Sequence, residues 1–344
     1  RRFRRHENMT ESPEQKRFSR LAPLLLSDQV KLCLAALHFF SPMSYEKNCL
    51  VIERPPTPGR TEPFDGSEFL KYLERERILA HPNRYRQRIA GLLRRLEHTG
   101  LLVPLGHGRD VFLGTRYYFI KELTKIERKG ILWLSEALGP QFIRSQYAPF
   151  TVQITGETES GDVHAGTGLV IAENWILTCA HVLKDMKVHD QQAFNGQART
   201  VTACRPHSSV DVGLIRVEPP MSVMPALAFR EPSISESLYT LGYPRVPLAK
   251  SASLVMQSGE VTSTGVALLH GPRVFLYSAI ARPGNSGGPI ISSAGHVLGI
   301  VTEELHVEAE SAAAPFHAGI DSETIRLALV DLEPSIVLPV EDYE

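Results

Sequence analysis

The chain has 344 residues, of which 43% are hydrophobic and 22% are charged, and its net charge is −1. These proportions are ordinary for globular proteins, and the length favours two domains. No apolar run reaches the roughly 18–20 residues that a membrane-spanning helix needs, so we expect no membrane contact. Charge is divided unevenly, with +10 over residues 1–150 and −11 over the remainder, which favours two domains with different partners.

The start of the chain and its cysteines bear on the cellular compartment. Residues 1–20 mix arginines with acidic residues, and no apolar segment of the signal-peptide type follows them, so we expect a disordered tail there. The four cysteines are widely scattered and form no CxxC pair: Cys33, Cys49, Cys179 and Cys204. This usage is typical of reduced thiols, so we expect a cytoplasmic protein.

Residues 21–145 carry the pattern of an α-rich domain. Apolar residues at helical spacing and turn signals predict helices and one β-hairpin. The helices are expected from Ser27, over Ser67–Leu79, over Asn83–Gly100 and over about Lys121–Leu138, and the strands over Leu101–Val103 and Val111–Ile120. Three helices followed by a hairpin resemble a winged helix-turn-helix domain.

From about residue 150 the pattern changes to short alternating or apolar segments, broken by Gly, Pro, Asn and Ser. Such segments predict an all-β barrel or sandwich. They lie at 151–155, 167–172, 175–179, 200–204, 212–217, 238–242, 253–264, 274–280, 289–292 and 297–302. A final helix is expected after Ser322 as its N-cap.

One glycine-rich segment, Gly284-Asn285-Ser286-Gly287-Gly288-Pro289, singles out a serine. Its glycines predict a sharp turn that exposes the Ser286 hydroxyl beside backbone N–H groups. Serine is a poor nucleophile alone, because its hydroxyl must first lose a proton to a histidine base that a carboxylate orients. His181 and Asp211, each next to an apolar segment, are the candidate base and carboxylate.

These segments resemble those of the trypsin-like serine proteases, and most closely the high-temperature-requirement proteases and the bacterial glutamyl endopeptidases. The order His, Asp, Ser along the chain is that of the chymotrypsin group. Four further segments resemble family motifs: Gly166-Thr167-Gly168, Leu241-Gly242-Tyr243-Pro244, Ala279 to Pro289, and Ala318-Gly319-Ile320-Asp321.

The resemblance implies a chymotrypsin-like double β-barrel with a C-terminal helix over residues 150–335, followed by an acidic tail over 336–344. It implies that Ser286 is the nucleophile, His181 the general base and Asp211 the orienting carboxylate. The backbone N–H groups of Gly284 and Ser286 would form the oxyanion hole.

Specificity is also inferred from the resemblance. In the family, the position of Ile280 forms the base of the primary pocket, so we expect cleavage after small or medium apolar residues. The segment with Thr302 and Glu304 resembles the strand that pairs with the substrate, which places both residues at the pocket. His317 is expected near the pocket wall, either as a ligand for an acidic side chain or as an ordinary histidine.

A basic face is expected on the third predicted helix, where a helical wheel places Arg84, Arg88 and Arg95 on one side. Such a face suits DNA phosphates and guanine edges. Three interpretations stay open: binding of nucleic acid, docking or autoinhibition by protein contact, and a passive spacer.

We expect a serine endopeptidase that acts on polypeptides without metal or cofactor and is regulated by its N-terminal domain. Asn285 cannot form the ion pair that activates trypsin-type zymogens, so regulation is expected through conformation or partners. Two alternatives remain: a DNA-binding transcriptional regulator with a protease switch, and a defence or signalling effector that a sensor partner activates. Few residues follow the last predicted helix, so no further module is expected there.

Overall fold

Two units divide the chain between Glu122 and Leu123. The computed structural model describes residues 24–269, 273–305 and 316–343, with no side-chain description for 303–305. The tail predicted over residues 1–20 lies outside the described residues. None of the described helices is both long enough and apolar enough to cross a membrane.

The first unit combines helices with a small antiparallel sheet of strand order β1-β3-β2. Its elements are α1 (Leu26–Phe39), α2 (Tyr45–Ile52), β1 (Phe64–Asp65), α3 (Gly66–Arg75), α4 (Arg86–His98), β2 (Val103–His107) and β3 (Thr115–Tyr118). Asp65 caps α3, because its carboxylate accepts from the N–H groups of Ser67 and Glu68 while the Glu68 carboxylate accepts from the Asp65 N–H. Phe39 of α1 stacks on Phe64 at 4.6 Å, which packs the sheet against the helices.

The start of α4 differs from the prediction. Pro82–Tyr85 forms a 3₁₀ helix, and α4 begins only at Arg86. A proline favours the first turn of a helix, and 3₁₀ winding advances about 120° per residue instead of the 100° of an α-helix. Arg84 therefore lies in the 3₁₀ turn before α4, and not in the helix that carries Arg88 and Arg95.

The segment after residue 122 also differs. The predicted helix over Lys121–Leu138 is replaced by short 3₁₀ turns and two short helices, α5 (Ser135–Leu138) and α6 (Pro140–Tyr147). Gly139, at φ +77°, separates the two helices. Tyr147 is fully buried and donates its hydroxyl to the Gly295 carbonyl at 2.7 Å. The segment therefore belongs to the second unit, and the first unit ends at residue 122, not at the expected 145.

The second unit consists of a seven-stranded antiparallel sheet and a closed six-stranded antiparallel barrel. The sheet has the order β7-β4-β5-β6-β10-β9-β8, and the barrel has the order β11-β12-β13-β16-β15-β14. The sheet strands are β4 (Thr151–Glu157), β5 (Val163–Ala172), β6 (Trp175–Thr178), β7 (Lys187–Val188), β8 (Gln191–Phe194), β9 (Gln197–Pro206) and β10 (Gly213–Glu218).

The barrel strands are β11 (Ser237–Gly242), β12 (Val255–Ala267), β13 (Arg273–Tyr277), β14 (Pro289–Ser292), β15 (Val297–Leu305) and β16 (Phe316–Asp321). All ten predicted β segments overlap observed strands. The short strands β7 and β8 were not predicted, because each offers too few residues to show an alternating pattern.

The resemblance implies two barrels. The six-stranded barrel is closed by strand pairing, whereas in the seven-stranded sheet a side chain of β8 bonds to β4. Gln192 of β8 is buried, and its amide accepts from the Thr155 N–H at 3.1 Å and donates to the Thr155 carbonyl at 2.8 Å. Thr155 lies on β4, which the strand order places away from β8. The side-chain amide thus takes the place of a backbone peptide group and joins the two strands.

Two further helices belong to the second unit. Helix α7 (Ala180–Lys184) lies after β6, and α8 (Ser322–Leu332) follows β16 near the C-terminus. Asp321, not the expected Ser322, is the N-cap of α8, because its carboxylate accepts from the Thr324 N–H. Beyond α8, Phe229 exchanges backbone hydrogen bonds with Pro339 and Glu341 at 2.7 and 2.8 Å. The expected tail over 336–344 is therefore part of the second unit as far as it is described.

Replacing Gln192 should open this side-chain closure. We expect Gln192→Ala to lower the free energy of unfolding by about 2 kcal/mol, because the buried Gln192 amide loses its hydrogen bonds to the N–H, the carbonyl and the hydroxyl of Thr155. Gln191→Ala is the matched control, since Gln191 is exposed and bonds only the Thr200 hydroxyl. Urea unfolding measures both variants, and equal stability losses would contradict the closure.

Candidate active site

Strand pairing brings His181 and Asp211 together. His181 lies in the first turn of α7 just after β6, and Asp211 lies just before β10. Because β6 and β10 are antiparallel neighbours with Thr178 opposite Gly213, the end of one meets the start of the other. Asp211 Oδ1 accepts from the His181 backbone N–H at 2.9 Å, and Asp211 Oδ2 lies 2.8 Å from His181 Nδ1.

Asp211 is held as a carboxylate. Burial by itself raises the pKa of the Asp211 carboxyl, but the hydrogen bonds and charge of His181, together with the Thr302 hydroxyl, lower that pKa to about 2. The Thr302 Oγ donates to Asp211 Oδ2 at 2.5 Å. A carboxylate fixed at Nδ1 keeps the proton on that nitrogen and leaves Nε2 able to accept another.

The Ser286 turn depends on two glycines with positive φ. Gly284 has φ +98°, and a Cβ there would lie 2.6 Å from the Tyr243 carbonyl. Gly287 has φ +82°, and a Cβ there would lie 2.2 Å from the Thr178 hydroxyl. Neither position accepts a side chain without rearrangement, so the turn requires both glycines.

The backbone N–H groups of this turn differ in whether they already donate a hydrogen bond. The Gly287 N–H donates to the Val301 carbonyl at 2.8 Å, and the Asn285 N–H donates to the Arg282 carbonyl at 2.9 Å. Within the described part of the chain, the N–H groups of Gly284 and Ser286 donate to no acceptor. Both are therefore available to an oxygen placed beside Ser286.

Thr167 holds this turn and was not predicted as a site residue. Its N–H donates to the Ser286 carbonyl at 2.9 Å, and its Oγ donates to the Gly284 carbonyl at 2.6 Å. The same Oγ accepts from the Tyr243 N–H at 2.9 Å. In the sequence analysis Thr167 appears only within a Gly-Thr-Gly motif, because a hydroxyl whose two partners are distant in the chain leaves no local signal.

One cleft of about 290 Å³ is lined by both His181 and Ser286. Among the residues that line it are His181, Gly284, Ser286 and Thr302. Asp211 lies behind His181 and contacts it through the two hydrogen bonds above. An imidazole held by an ionised carboxylate and facing the cleft of a serine hydroxyl can perform general base chemistry.

Other predicted pocket residues lie elsewhere. Ile280 is 50% exposed and is not among the described residues that line the cleft. Thr302 lines the cleft but also acts on Asp211. His317 lies on β16, stacked 6.1 Å from Tyr277 and away from the cleft lining. The backbone of Glu304 pairs with His317, and its side chain lies outside the description.

The three arginines belong to the first unit. Arg84, Arg88 and Arg95 are all exposed. Arg95 donates to the Gln29 Oε1 at 3.2 Å, which links α4 to α1.

Cys179, His181 and Asp211 offer donor atoms within 4.8 Å of one another, a spacing that could hold a metal ion. The Cys179 thiol donates to the Val301 carbonyl at 3.1 Å, and the Asp211 oxygens accept from His181 and Thr302. These three donors are thus engaged with other groups of the site. A metal ion would have to displace the His181–Asp211 contact.

A family model described as a trypsin-like peptidase domain matches residues 166–300. An uncharacterised protein of Sinorhizobium fredii, y4bJ, is 32% identical over 149 residues, which cover 41% of this chain and 22% of that protein. HhoA of Synechocystis, named as a candidate serine protease, is 29% identical over 167 residues, which cover 45% of this chain and 40% of that protein. The chain spans less than half the length of either curated relative.

Solved structures give similar matches. The active form of the Rv3671c protease of M. tuberculosis aligns with a TM-score of 0.46 and 21% identity, over 58% of this chain and 86% of that one. A serine endoprotease of Yersinia pestis aligns with a TM-score of 0.46 and 19% identity, over 57% and 66%.

The family match covers the strands and turns that carry His181, Asp211 and Ser286. Residues 166–300 are therefore similar to a trypsin-like peptidase domain.

Proposed function

We propose that the second unit is a serine endopeptidase whose nucleophile is Ser286. The observation that carries this proposal is the His181–Asp211 pair, joined at 2.8 Å, with His181 lining the same cleft as Ser286. The roles follow from the chemistry of each group: His181 is the base and then the acid, and Asp211 orients it.

The reaction proceeds in two halves. Ser286 Oγ attacks the carbonyl carbon of the scissile peptide bond while His181 Nε2 takes the hydroxyl proton. The tetrahedral intermediate collapses as His181 returns that proton to the leaving amine, which leaves an acyl ester on Ser286. Water, deprotonated by His181, then attacks the ester and regenerates the serine.

The developing oxyanion needs donors. The N–H groups of Gly284 and Ser286 are the best candidates, because they have no acceptor in the described part of the chain while the neighbouring N–H groups of Asn285 and Gly287 do. Donors fixed before the reaction lower the barrier because no reorganisation is needed when the charge forms. Thr167 fixes both residues through their carbonyls.

The lining of the cleft bears on the primary specificity. The expected preference for apolar residues rested on Ile280 at the pocket base, and Ile280 does not line the cleft. His317 as a ligand for acidic side chains gains no support either, since it also lies outside the cleft lining. We therefore propose a polypeptide substrate without assigning the residue before the cleaved bond.

We propose that the first unit is a winged-helix-like domain. The order α2-β1-α3-α4-β2-β3 and the sheet order β1-β3-β2 support this, since a short strand, two helices and a hairpin in that order define such domains. With Arg84 removed from the helix, the basic face consists of Arg88 and Arg95 on α4, and it would bind a partner protein or DNA.

We further propose that this domain regulates the peptidase in a cytoplasmic protein. The first unit carries 22 Lys+Arg against 14 Asp+Glu, and the second unit carries 15 against 24, so their opposite net charges allow attraction between them. All four cysteines are free thiols, which agrees with a reducing compartment. The transcriptional regulator and the sensor-activated effector remain the alternative roles.

Ser286→Ala should abolish labelling by a fluorophosphonate probe and lower peptide hydrolysis by about 10³-fold or more, because the acyl-enzyme cannot form. His181→Ala should cost a similar factor, since the triad acts as a unit. Ser293→Ala, a serine in the turn after β14, is the matched control and should keep activity. Turnover at the parent rate in Ser286→Ala would refute the mechanism.

Asp211 should make stability depend on acid pH. Its folded pKa of about 2 lies below its ordinary 3.8, so its contribution is complete above the ordinary value and is lost as the pH falls toward 2. In a Ser286→Ala background, Asp211→Asn should cost about 2 kcal/mol at pH 6 and about half as much at pH 3. Urea unfolding across that pH range measures the difference in the free energy of unfolding between the two chains. Asp190→Asn, at an exposed carboxylate, is the control, and a difference independent of pH would contradict the assignment.

Electrostatic regulation should respond to the basic face and to salt. Arg88→Gln with Arg95→Gln should raise peptide hydrolysis at low salt, and rising salt should raise the parent activity toward that of the variant. Lys47→Gln with Lys71→Gln removes two exposed lysines from α2 and α3 as the control. Equal activity at every salt concentration would refute regulation by this face. Salt-dependent binding of duplex DNA, lost in the arginine variant, would favour the regulator instead.

A further inference from the structure

A second cavity of about 470 Å³ adjoins the catalytic cleft. The two share four lining residues: His164, Ala165, Pro283 and Gly284. Gly284 is also one of the two residues whose N–H is proposed as an oxyanion donor. A chain bound in the cleft at Ser286 can therefore continue into the second cavity past Gly284.

The second cavity is positively charged. Arg245 and Lys250 line it, and no carboxylate does. Within the described residues neither cation forms an ion pair, and both are exposed. The catalytic cleft differs, because it holds both Arg282 and Asp185. Two cations without a carboxylate at the wall of a cavity favour an anionic ligand.

The position of β15 indicates which side of the scissile bond the cavity serves. Thr302 of β15 lines the catalytic cleft but not the second cavity. The segment of β15 with Thr302 resembles the strand that pairs with the substrate, and we assign to it the part of the substrate that becomes the acyl group. The cavity beyond Gly284, away from Thr302, therefore faces the leaving-group side.

We propose that Arg245 and Lys250 form a subsite for acidic side chains on the leaving-group side of the scissile bond. This inference rests on the proposed endopeptidase function and adds to it the class of substrate. Tyr243, Val246 and Ala249 supply a partly apolar wall, against which the methylene groups of a glutamate can pack while its carboxylate meets the cations.

The test compares two internally quenched peptides with the same acyl side. One carries Glu and Asp after the scissile bond, and the other carries Gln and Asn at the same positions. The parent should cleave the acidic peptide with about fivefold higher kcat/KM, because two partly exposed ion pairs form, and rising salt should reduce that ratio.

Double variants inside the cavity, and one outside it that removes the same number of positive charges, assign the effect to the cavity. Arg245→Gln with Lys250→Gln should bring the ratio of acidic to neutral kcat/KM close to one, and Arg245→Glu with Lys250→Glu should bring it below one. Lys187→Gln with Arg326→Gln removes two exposed cations that line neither cavity, and it should keep the parent ratio. A third peptide with its acids on the acyl side should show no such ratio in the parent.

The outcomes separate the two proposals. Cleavage of both peptides at equal rates, with Ser286 required, would overturn the subsite and leave the endopeptidase intact. Failure to cleave any peptide, with no fluorophosphonate labelling, would overturn the endopeptidase itself. Fluorescence anisotropy with the Ser286→Ala chain tests the subsite without turnover. There the acidic peptide should bind about fivefold more tightly than the neutral one, and equal affinities would overturn the subsite.

Discussion

The hydrogen bonds of one buried threonine hold the site together. Thr167 lies on β5 of the sheet, while Gly284 and Ser286 lie on a loop of the barrel. Through its N–H and its hydroxyl it contacts the carbonyls of both loop residues, and its own carbonyl accepts from the Thr178 hydroxyl at 2.8 Å. His181 and Asp211 belong to the sheet side. A serine from one β structure can face a histidine from the other only if the loop is fixed against the sheet, and Thr167 provides that attachment.

The charge of Asp211 depends on the same arrangement. A buried carboxylate is costly unless its oxygens accept hydrogen bonds, and those of Asp211 accept from the His181 N–H, the His181 ring and the Thr302 hydroxyl. Thr302 comes from the barrel, so the ion that orients His181 is itself stabilised from both sides. A loss of register between sheet and barrel would therefore disturb the histidine as well as the serine. Stability and reactivity of the site thus depend on the same few contacts.

The sequence allowed the strands and the three candidate catalytic residues to be predicted, because alternating apolar residues and a Gly-rich turn are local signals. Closure of the sheet by Gln192 could not be predicted, since one buried amide has no pattern along the chain. The 3₁₀ turn that contains Arg84 could not be predicted either, because a helical wheel assumes α-helical winding and Pro82 begins that turn. The boundary at residue 122 was not predicted, because the apolar residues of 123–147 were interpreted as a helix of the first domain. They are buried against strands of the second unit, and such long-range packing leaves no local pattern.

A subsite for acidic side chains lies on the part of the chain that carries a net charge of −11. At long range that charge would repel an acidic substrate, but it is screened beyond about 8 Å at physiological salt. Arg245 and Lys250 act within contact distance of a bound side chain, which is shorter than the screening length, so their attraction outweighs the distant charges once the substrate has arrived. The +10 charge of residues 1–150 offsets the repulsion during approach.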